Sequence, residues 1–218
     1  MVNKYLHLSY FLDKNTPLYG NAKGIDIVED SSIEKGDSAN TKVLTFPNHA
    51  GTHIDFPNHF FLDGKRSEDY PASFWIYENP FVLEINPQEN ELIVLTKNQL
   101  DLIPQDTDFL IFNTGFFRYR SEIKYWNNNP GVAPEVAKQL KTRCPNIRVL
   151  GMDFISLTSY QHRDVGKISH RQFLGELDIL LVEDMDLREL HQQPKKIMCF
   201  PLLVTALDGA PVTIIAQL

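Results

Sequence analysis

Short apolar segments separated by turn-forming residues are the feature that most constrains the fold of this chain. Eight of them are rich in Val, Ile, Leu and Phe, and Pro, Asn, Asp or Gly residues lie between them. Segments of this length and composition are typical of β-strands, because strands are shorter than helices and favour β-branched and aromatic side chains. Strands are predicted at residues 42–46, 81–85, 92–95, 109–112, 148–150, 179–182, 197–204 and 212–216.

Two segments predict helices. Residues 133–142 carry a proline and a glutamate near their start and a lysine near their end, an order that the helix dipole favours. Residues 169–174 form the second predicted helix, with Ser169 as its N-cap. Because strands outnumber helices and alternate with them only in part, the sequence predicts a mixed α/β fold in a single domain over residues 1–218.

The composition excludes several classes of protein. Hydrophobic residues make up 43% and charged residues 22% of the chain, which is average for a globular protein and unlike a disordered one. The net charge is −7 and no Lys/Arg cluster is present, which argues against nucleic acid as a partner because phosphate binding needs a basic surface. The longest apolar runs fall far short of the roughly 20 residues that span a bilayer, so no membrane partner is expected.

The cysteines and the first residues bear on the cellular compartment. Cys144 and Cys199 are too few to form a disulfide framework. Residues 1–7 contain neither the apolar segment nor the small-residue cleavage site of a secretory signal. We therefore expect a cytoplasmic protein.

Three of the seven histidines fall within residues 49–59, where an even distribution would place fewer than one. His49, His53 and His59 share this window with Asp55, and imidazoles beside a carboxylate are the donors that a divalent metal such as zinc selects. The flanking residues are apolar, so Asp55 is expected to be buried, and a buried carboxylate without a cationic partner costs several kcal/mol. A single histidine is more often structural than metal-binding, so the prediction rests on the group.

The backbone must bend for these side chains to meet. A continuous strand over residues 49–55 would separate its ends by roughly 20 Å, too far for ligands of one ion. A helix is disfavoured by the glycine and the nearby prolines. The chain is therefore predicted to bend near Gly51 and to enter a short strand, on which His53 and Asp55 point to the same side.

Residues 49–60, with the sequence HAGTHIDFPNHF, resemble the signature of the metal-dependent cyclase family. That family includes bacterial kynurenine formamidase and is similar to isatin hydrolase. The resemblance covers nearly the whole chain. Further matching segments are residues 8–9, 16–19, 114–115, 130–131, 151–156, 169–171, 182–183, 200–202 and 209–212.

The resemblance implies a set of site residues. His49, His53 and Asp55 would bind a first divalent ion. His170 and Glu183 would complete the site, and both carboxylates would bridge to a second ion. His59 would be the catalytic general acid and base and not a ligand. Zinc and manganese, with one or two ions per subunit, remain alternatives.

One departure from the family pattern concerns the second segment. His170 and Glu183 are thirteen positions apart, one more than the resemblance implies. The extra residue is predicted in the turn at residues 175–178. Asp184 and Glu176 therefore remain alternative carboxylates, and the substrate of the formamidases is not carried over.

The resemblance also implies a swivelling β/β/α-type fold and a homodimer or higher homo-oligomer. The implied activity on a small-molecule substrate is metal-dependent hydrolysis of an amide, a formamide or a cyclic amide or ester, as in an arylformamidase. A non-catalytic protein that binds a metal or a small ligand on the same fold is the alternative. The His-x-His motifs of cupin oxygenases and metallo-β-lactamases are absent, since His53 is followed by an aspartate two residues on.

Other side chains have two interpretations. Arg118 and Arg120 either clamp a substrate carboxylate or lie on the solvated surface. His162 is expected in a surface loop, and His7 and His191 away from the site. Four aromatic residues either line a pocket or pack in the core: Phe60, Phe61, Tyr70 and Trp75.

Overall fold

The computed structural model describes residues 4–218. Residues 1–3, which belong to the segment 1–7 used for the prediction of a cytoplasmic protein, lie outside the described residues. The strands are β1 (Tyr5–His7), β2 (Asp26–Ser31), β3 (Thr41–Thr45), β4 (His53–Asp55), β5 (Ile76–Tyr77), β6 (Pro80–Glu84), β7 (Leu92–Ile93), β8 (Phe109–Asn113), β9 (Gly131–Val132), β10 (Val149–Met152), β11 (Leu180–Glu183), β12 (Lys196–Pro201) and β13 (Gly209–Gln217). The α-helices are α1 (Lys97–Leu102), α2 (Lys124–Asn127), α3 (Glu135–Arg143) and α4 (Arg163–Arg171).

A nine-stranded sheet organises the molecule, in the order β5-β12-β13-β4-β11-β10-β8-β6, with β1 paired to β13. Strands β6, β8, β10 and β11 run parallel to one another. Strand β4 joins this half to the antiparallel half, because it pairs with β11 on one side and with β13 on the other. All three residues of β4 are buried. The short strand predicted after the glycine bend therefore lies at the centre of the sheet.

Two small pairs of strands lie outside the main sheet. Strands β7 and β9 are parallel, and β2 and β3 form an antiparallel hairpin. The hairpin is exposed along almost its whole length. No helix in the described part of the chain is long and apolar enough to cross a membrane.

The core lies against the parallel half of the sheet. Residues Phe109–Phe112 of β8 are fully buried, and α3 buries Val136, Ala137 and Leu140 on one face. A three- and four-residue spacing of apolar side chains places them on the same side of a helix, which explains this face. Both cysteines are buried and unpaired.

The predicted mixed α/β single-domain fold is confirmed. Each of the eight predicted strand segments contains a strand, although β12 ends at Pro201, before the predicted residues 202–204. The helix predicted at residues 133–142 corresponds to α3.

The prediction that a helix begins at Ser169 is wrong. Helix α4 begins at Arg163, and Ser169 lies in its last turn, where its hydroxyl donates to the carbonyl of Val132. The sequence gives little indication of the first turns of α4, because Gly166 lowers their helix propensity. A Cβ atom at that position would lie 2.1 Å from Thr158 Oγ1, so only glycine allows this approach. The chain continues into one π-helical turn, Gln172–Glu176.

Candidate metal centre

The predicted bend at Gly51 leads the chain into β4. Gly51 has φ +61°, which favours glycine, and a Cβ atom there would lie 2.5 Å from a Leu12 methyl carbon. On β4, His53 and Asp55 are two positions apart and lie on the same face. The local sequence thus fixes the direction of both side chains.

Asp55 is the centre of a buried cluster. Asp55 is 1% exposed, and its two carboxylate oxygens lie close to the rings of three histidines. Oδ1 lies 2.8 Å from His49 Nδ1 and 3.5 Å from His53 Nε2, and Oδ2 lies 3.6 Å from His170 Nε2. The Asp55 carboxylate therefore contacts histidines of both predicted metal-binding segments, residues 49–59 and the segment that contains His170.

Glu183 faces the same cluster from the neighbouring strand. In the β4–β11 pair it lies opposite His53, with Oε2 3.4 Å from His53 Nε2 and Oε1 3.5 Å from His170 Nε2. The backbone N–H of Leu157 donates to Oε1 at 2.7 Å and the Ser156 hydroxyl at 3.2 Å. These donors fix the orientation of the carboxylate.

Two of the imidazoles have a defined tautomer. His53 Nδ1–H donates to the carbonyl of Gly51 at 2.8 Å, and His170 Nδ1–H donates to the carbonyl of Gly166 at 2.9 Å. A carbonyl can only accept, so Nδ1 carries hydrogen in both rings and Nε2 faces the carboxylates. Metal-binding histidines are commonly held in this way by their second nitrogen.

The spacing of these donors fits a metal ion better than a hydrogen-bonded network. The four distances between the Nε2 atoms and the carboxylate oxygens are 3.4 to 3.6 Å. Good N–H···O bonds are shorter, about 2.7–3.2 Å. Ligands about 2.1 Å from a shared tetrahedral ion lie about 3.4 Å from each other. One donor atom each of His53, Asp55 and Glu183 therefore lies close enough to the others to share an ion, and His170 Nε2 approaches the second oxygen of both carboxylates.

His49 differs from the other two ligand candidates. Both of its ring nitrogens contact carboxylates, Nδ1 that of Asp55 and Nε2 that of Asp208 at 3.1 Å. Although burial opposes the charged form, hydrogen bonds to Asp208 and Asp55 raise the pKa of His49 to about 10. Binding a metal would require His49 to give up one of these contacts. Its predicted role as a ligand stays a prediction.

The charge of the cluster favours bound cations. Burial disfavours the charged form of His170, but the neighbouring carboxylates of Asp55 and Glu183 raise its pKa to about 10. Burial likewise opposes ionisation of Asp55, but the nearby His170 ring and the hydrogen bond with His49 hold its pKa well below its usual value. The carboxylates thus hold protons on His49 and His170, and a divalent cation would displace those protons.

His59, the predicted general acid and base, lies at the edge of the cluster. It ends a short turn after β4, and its side chain is 32% exposed. Its Nδ1 lies 2.7 Å from Asp208 Oδ2, the same oxygen that contacts His49. Asn48 donates to Asp208 Oδ1 at 2.6 Å. His59 is therefore held beside the candidate ligands by a carboxylate that is not one of them.

Asp208 was missed by sequence reasoning. It precedes residues 209–212, which were singled out only as a matching segment. The antiparallel pairing of β13 with β4 sets Gly209 opposite Asp55 and so brings Asp208 to the cluster. Hydrogen bonds from His49 and His59 hold the pKa of Asp208 below its usual value. It is ionised and supplies negative charge to both rings.

The two alternative carboxylates do not reach the cluster. Asp184 accepts two hydrogen bonds from Arg120, at 2.8 and 2.7 Å, and one from the Tyr125 hydroxyl at 2.5 Å. Glu176 is exposed in the π-helical turn. The turn predicted to hold the extra residue, at 175–178, overlaps the end of this π-helical turn, and a π-helical turn accommodates one more residue than an α-helical turn.

Neither interpretation of Arg120 is correct. Its guanidinium forms the ion pair with Asp184 and lies 3.7 Å from the centroid of the Tyr10 ring, so it is an internal structural residue. Arg118 is exposed, which agrees with its interpretation as a surface residue. His162 is exposed as expected, and neither His7 nor His191 lines the cavity at the cluster.

Of the four aromatic residues, Phe60 lines the cavity next to the cluster. Its ring stacks on that of His170 with centroids 4.7 Å apart. Tyr70 and Trp75 pack with Phe56 instead, and Phe61 packs against Gly175. Phe60 therefore covers one face of a ligand candidate, and the other three belong to packing.

A cavity of about 360 Å³ opens onto the cluster. Besides the cluster and Phe60, its walls come from the segment after β1, the loop after β10 and helix α4. These wall residues include Pro17, Leu18, Tyr19, Ile155, Ser156, Thr158, Arg163 and Lys167. The volume suits a small organic molecule.

The chain is similar to several known proteins. A family model described as "Putative cyclase" matches residues 6–158. An uncharacterized protein of Haemophilus influenzae is 34% identical over 117 residues, which are 51% of this chain and 81% of that protein. Kynurenine formamidase of Geobacillus thermodenitrificans is 24% identical over 212 residues, 97% of this chain and 96% of the enzyme. The structure of isatin hydrolase A from Labrenzia aggregata superimposes with a TM-score of 0.83 at 20% identity, covering 99% of this chain and 94% of that one.

Proposed function

Because the chain belongs to the cyclase family, we propose that it is a metal-dependent hydrolase that opens an amide, a formamide, or a cyclic amide or ester. The observation that carries the proposal is the group of two imidazoles and two buried carboxylates at 3.4 to 3.6 Å, open to a cavity. The names of two relatives, kynurenine formamidase and isatin hydrolase, support hydrolysis of a carbon–nitrogen bond.

The proposed ligands of a divalent zinc or manganese ion are His53, Asp55, His170 and Glu183, with His49 beside them for the same ion or a second one. When bound, such a cation supplies Lewis-acid polarisation of a carbonyl oxygen and lowers the pKa of a water molecule toward 7. The Nδ1–H bonds of His53 and His170 to backbone carbonyls keep Nε2 of each ring available for the ion.

His59 is proposed to transfer the proton to the leaving nitrogen. Asp208 accepts the Nδ1–H of His59, which fixes the ring and leaves Nε2 as the atom that exchanges protons. The same carboxylate stabilises the imidazolium when His59 is charged. Phe60 contacts both His59 and His170 and so shields this part of the cavity from water.

The proposal is tested by hydrolysis assays with metal-reconstituted protein on N-formylkynurenine, isatin and simple lactams and lactones. We expect turnover of at least one compound, loss of turnover with a chelator, and recovery with zinc or manganese. His53→Ala should remove metal and turnover together, whereas His162→Ala, at an exposed position outside the cavity, should change neither. Tight metal binding without turnover of any compound would favour the alternative, a non-catalytic binding protein.

Assembly into a homodimer or higher homo-oligomer and a cytoplasmic location are proposed from the family resemblance alone. Light scattering on the purified protein tests the first, and fractionation of cells that produce the protein tests the second.

A further inference from the structure

The outer wall of the cavity carries positive charge, although the chain as a whole has a net charge of −7. Arg163 and Lys167 are four residues apart on α4 and both line the cavity. The acidic residues that line the cavity do not neutralise this charge, because Asp55 and Glu183 belong to the candidate metal centre and Asp184 forms an ion pair with Arg120. Lys167 lies 3.5 Å from Asp164, but both side chains are highly exposed, and such pairs contribute little.

The Arg163 side chain is held in place by an aromatic ring. Its guanidinium carbon lies 4.1 Å from the centroid of Tyr160. The ring of Tyr19 packs edge-on against the same Tyr160 ring, with centroids 5.5 Å apart. Tyr160 therefore positions a cation and a phenol together on one wall, so less side-chain freedom is lost when a ligand binds.

The Tyr19 hydroxyl supplies a third polar group to this wall. Its oxygen is buried and has no well-formed hydrogen bond to residues 4–218, although the Arg163 guanidinium lies beside it. Buried hydroxyl groups nearly always have a partner, so a hydroxyl at a cavity wall without a well-formed hydrogen bond to the protein is free to donate to a water molecule or a ligand atom. Burial raises the pKa of Tyr19 to about 12, so the hydroxyl is a neutral donor at physiological pH.

We propose that Tyr19, Arg163 and Lys167 recognise a carboxylate of the substrate, at a distance from the bond that is cleaved. A guanidinium, an ammonium and a hydroxyl all donate hydrogen bonds, and a planar carboxylate accepts from each of them. The inference rests on the proposed hydrolase function and narrows its substrates to amides or formamides that carry a carboxylate. The cations at the mouth also attract such anions from solution.

A matched pair of compounds tests this. 4-Formamidobenzoate and its methyl ester share the ring and the formamide, and the para position keeps the carboxylate away from the metal centre. For wild-type protein we expect a KM several-fold lower for the acid. Arg163→Gln and Lys167→Gln should each raise the KM of the acid roughly fivefold and leave that of the ester unchanged. Lys138→Gln, the same loss of charge on the exposed face of α3, is the control.

Calorimetric binding of the amine products, 4-aminobenzoate and its methyl ester, gives a readout without turnover. Tyr19→Phe, Arg163→Gln and Lys167→Gln should weaken binding of the acid only, with thermal unfolding unchanged. Hydrolysis of both formamides with no preference for the acid, or a preference that the three variants retain, would overturn the inference and leave the hydrolase proposal intact. If neither these formamides nor the compounds named under the proposed function are hydrolysed but the variants still weaken acid binding, the hydrolase proposal fails and the carboxylate site stands.

Discussion

His53 and Glu183 face each other across neighbouring antiparallel strands, with Nε2 of one 3.4 Å from Oε2 of the other. The two residues come from distant parts of the sequence, and the β4–β11 register alone brings them together. A shift of one residue in that register would turn one side chain to the opposite face of the sheet. The candidate metal centre therefore depends on the central pairing of the fold.

The first prediction concerns removal of one ligand. Glu183→Gln keeps the shape of the side chain but removes a negative charge and one strong donor to a cation. We expect zinc affinity to fall at least 100-fold, more than the 10- to 100-fold typical of residues that only support ligands. Competition calorimetry against a chelator measures the affinity. Glu176→Gln, the same change at an exposed position, should bind zinc like the wild type.

The second prediction concerns removal of the metal. An ion that binds the folded but not the unfolded chain stabilises it by about 2.7 kcal/mol when its free concentration is 100 times the Kd. Addition of excess chelator should therefore lower the Tm by several degrees, and zinc should restore it. Scanning calorimetry of wild-type protein and of His53→Ala tests this. A Tm of the wild type that is indifferent to both chelator and zinc would contradict a metal centre.

The third prediction concerns Asp153, a buried carboxyl outside the metal centre. Oδ1 accepts hydrogen bonds from Thr114, but Oδ2 has no partner in residues 4–218. Burial raises the pKa of Asp153 to about 6. Because this pKa lies above that of the unfolded chain, near 3.8, the stabilising contribution of the protonated acid is complete below pH 3.8 and is lost as the pH rises to 6.

Asp153→Asn removes this titration. Its stability relative to the wild type should increase by roughly 2–3 kcal/mol between pH 4 and pH 7, because the shift of about two pKa units corresponds to that free energy. Urea unfolding of both proteins at several pH values measures the difference. A stability difference that does not change over this range would mean that Asp153 ionises normally in the fold.

The local part of the site was predictable from sequence, and the long-range part was not. The bend at Gly51 and the shared face of His53 and Asp55 follow from backbone conformations within seven residues. Asp208 reaches the same cluster only through the pairing of β13 with β4, and the sequence contains no signal for that register. The sequence therefore indicates the candidate metal ligands of residues 49–55, but it does not indicate that Asp208 contacts His59.

The same reasoning explains the errors around α4. Gly166 and Ser169 weaken the helical signal, so the predicted helix began six residues too late. The close contact of Gly166 with Thr158 that makes a glycine necessary is visible only in the folded chain. Arg120 was likewise placed at the surface or at a substrate, because its partner Asp184 lies far away in sequence.

The fourth prediction tests the close contact between Gly166 and Thr158. Gly166→Ala would place a Cβ atom 2.1 Å from Thr158 Oγ1 and force α4 or the Thr158 loop to move. We expect a loss of about 1–3 kcal/mol in the free energy of unfolding and weaker zinc binding, because the Gly166 carbonyl also orients His170. Urea unfolding and zinc titration measure the two effects. Ile168→Ala, at an exposed position of the same helix, should leave zinc binding unchanged.

The fifth prediction concerns the carboxylate that holds His59. Asp208→Asn keeps the size of the side chain but removes the negative charge that His59 and His49 share. We expect kcat to fall about 100-fold, because general acid–base catalysis contributes about 10² to 10⁴ in rate. We expect little change in KM, because Asp208 is not among the residues that line the cavity. Steady-state kinetics on whichever compound the protein hydrolyses measure both constants, and zinc titration checks that the metal still binds.

A double variant separates positioning from a merely structural role. If Asp208 acts through His59, the kcat of His59→Ala combined with Asp208→Asn should equal that of His59→Ala alone, because residues that act as a unit are strongly non-additive. Independent roles would instead multiply the two losses. A full additional loss in the double variant, or an unchanged kcat in Asp208→Asn, would show that the 2.7 Å contact between His59 and Asp208 does not serve proton transfer.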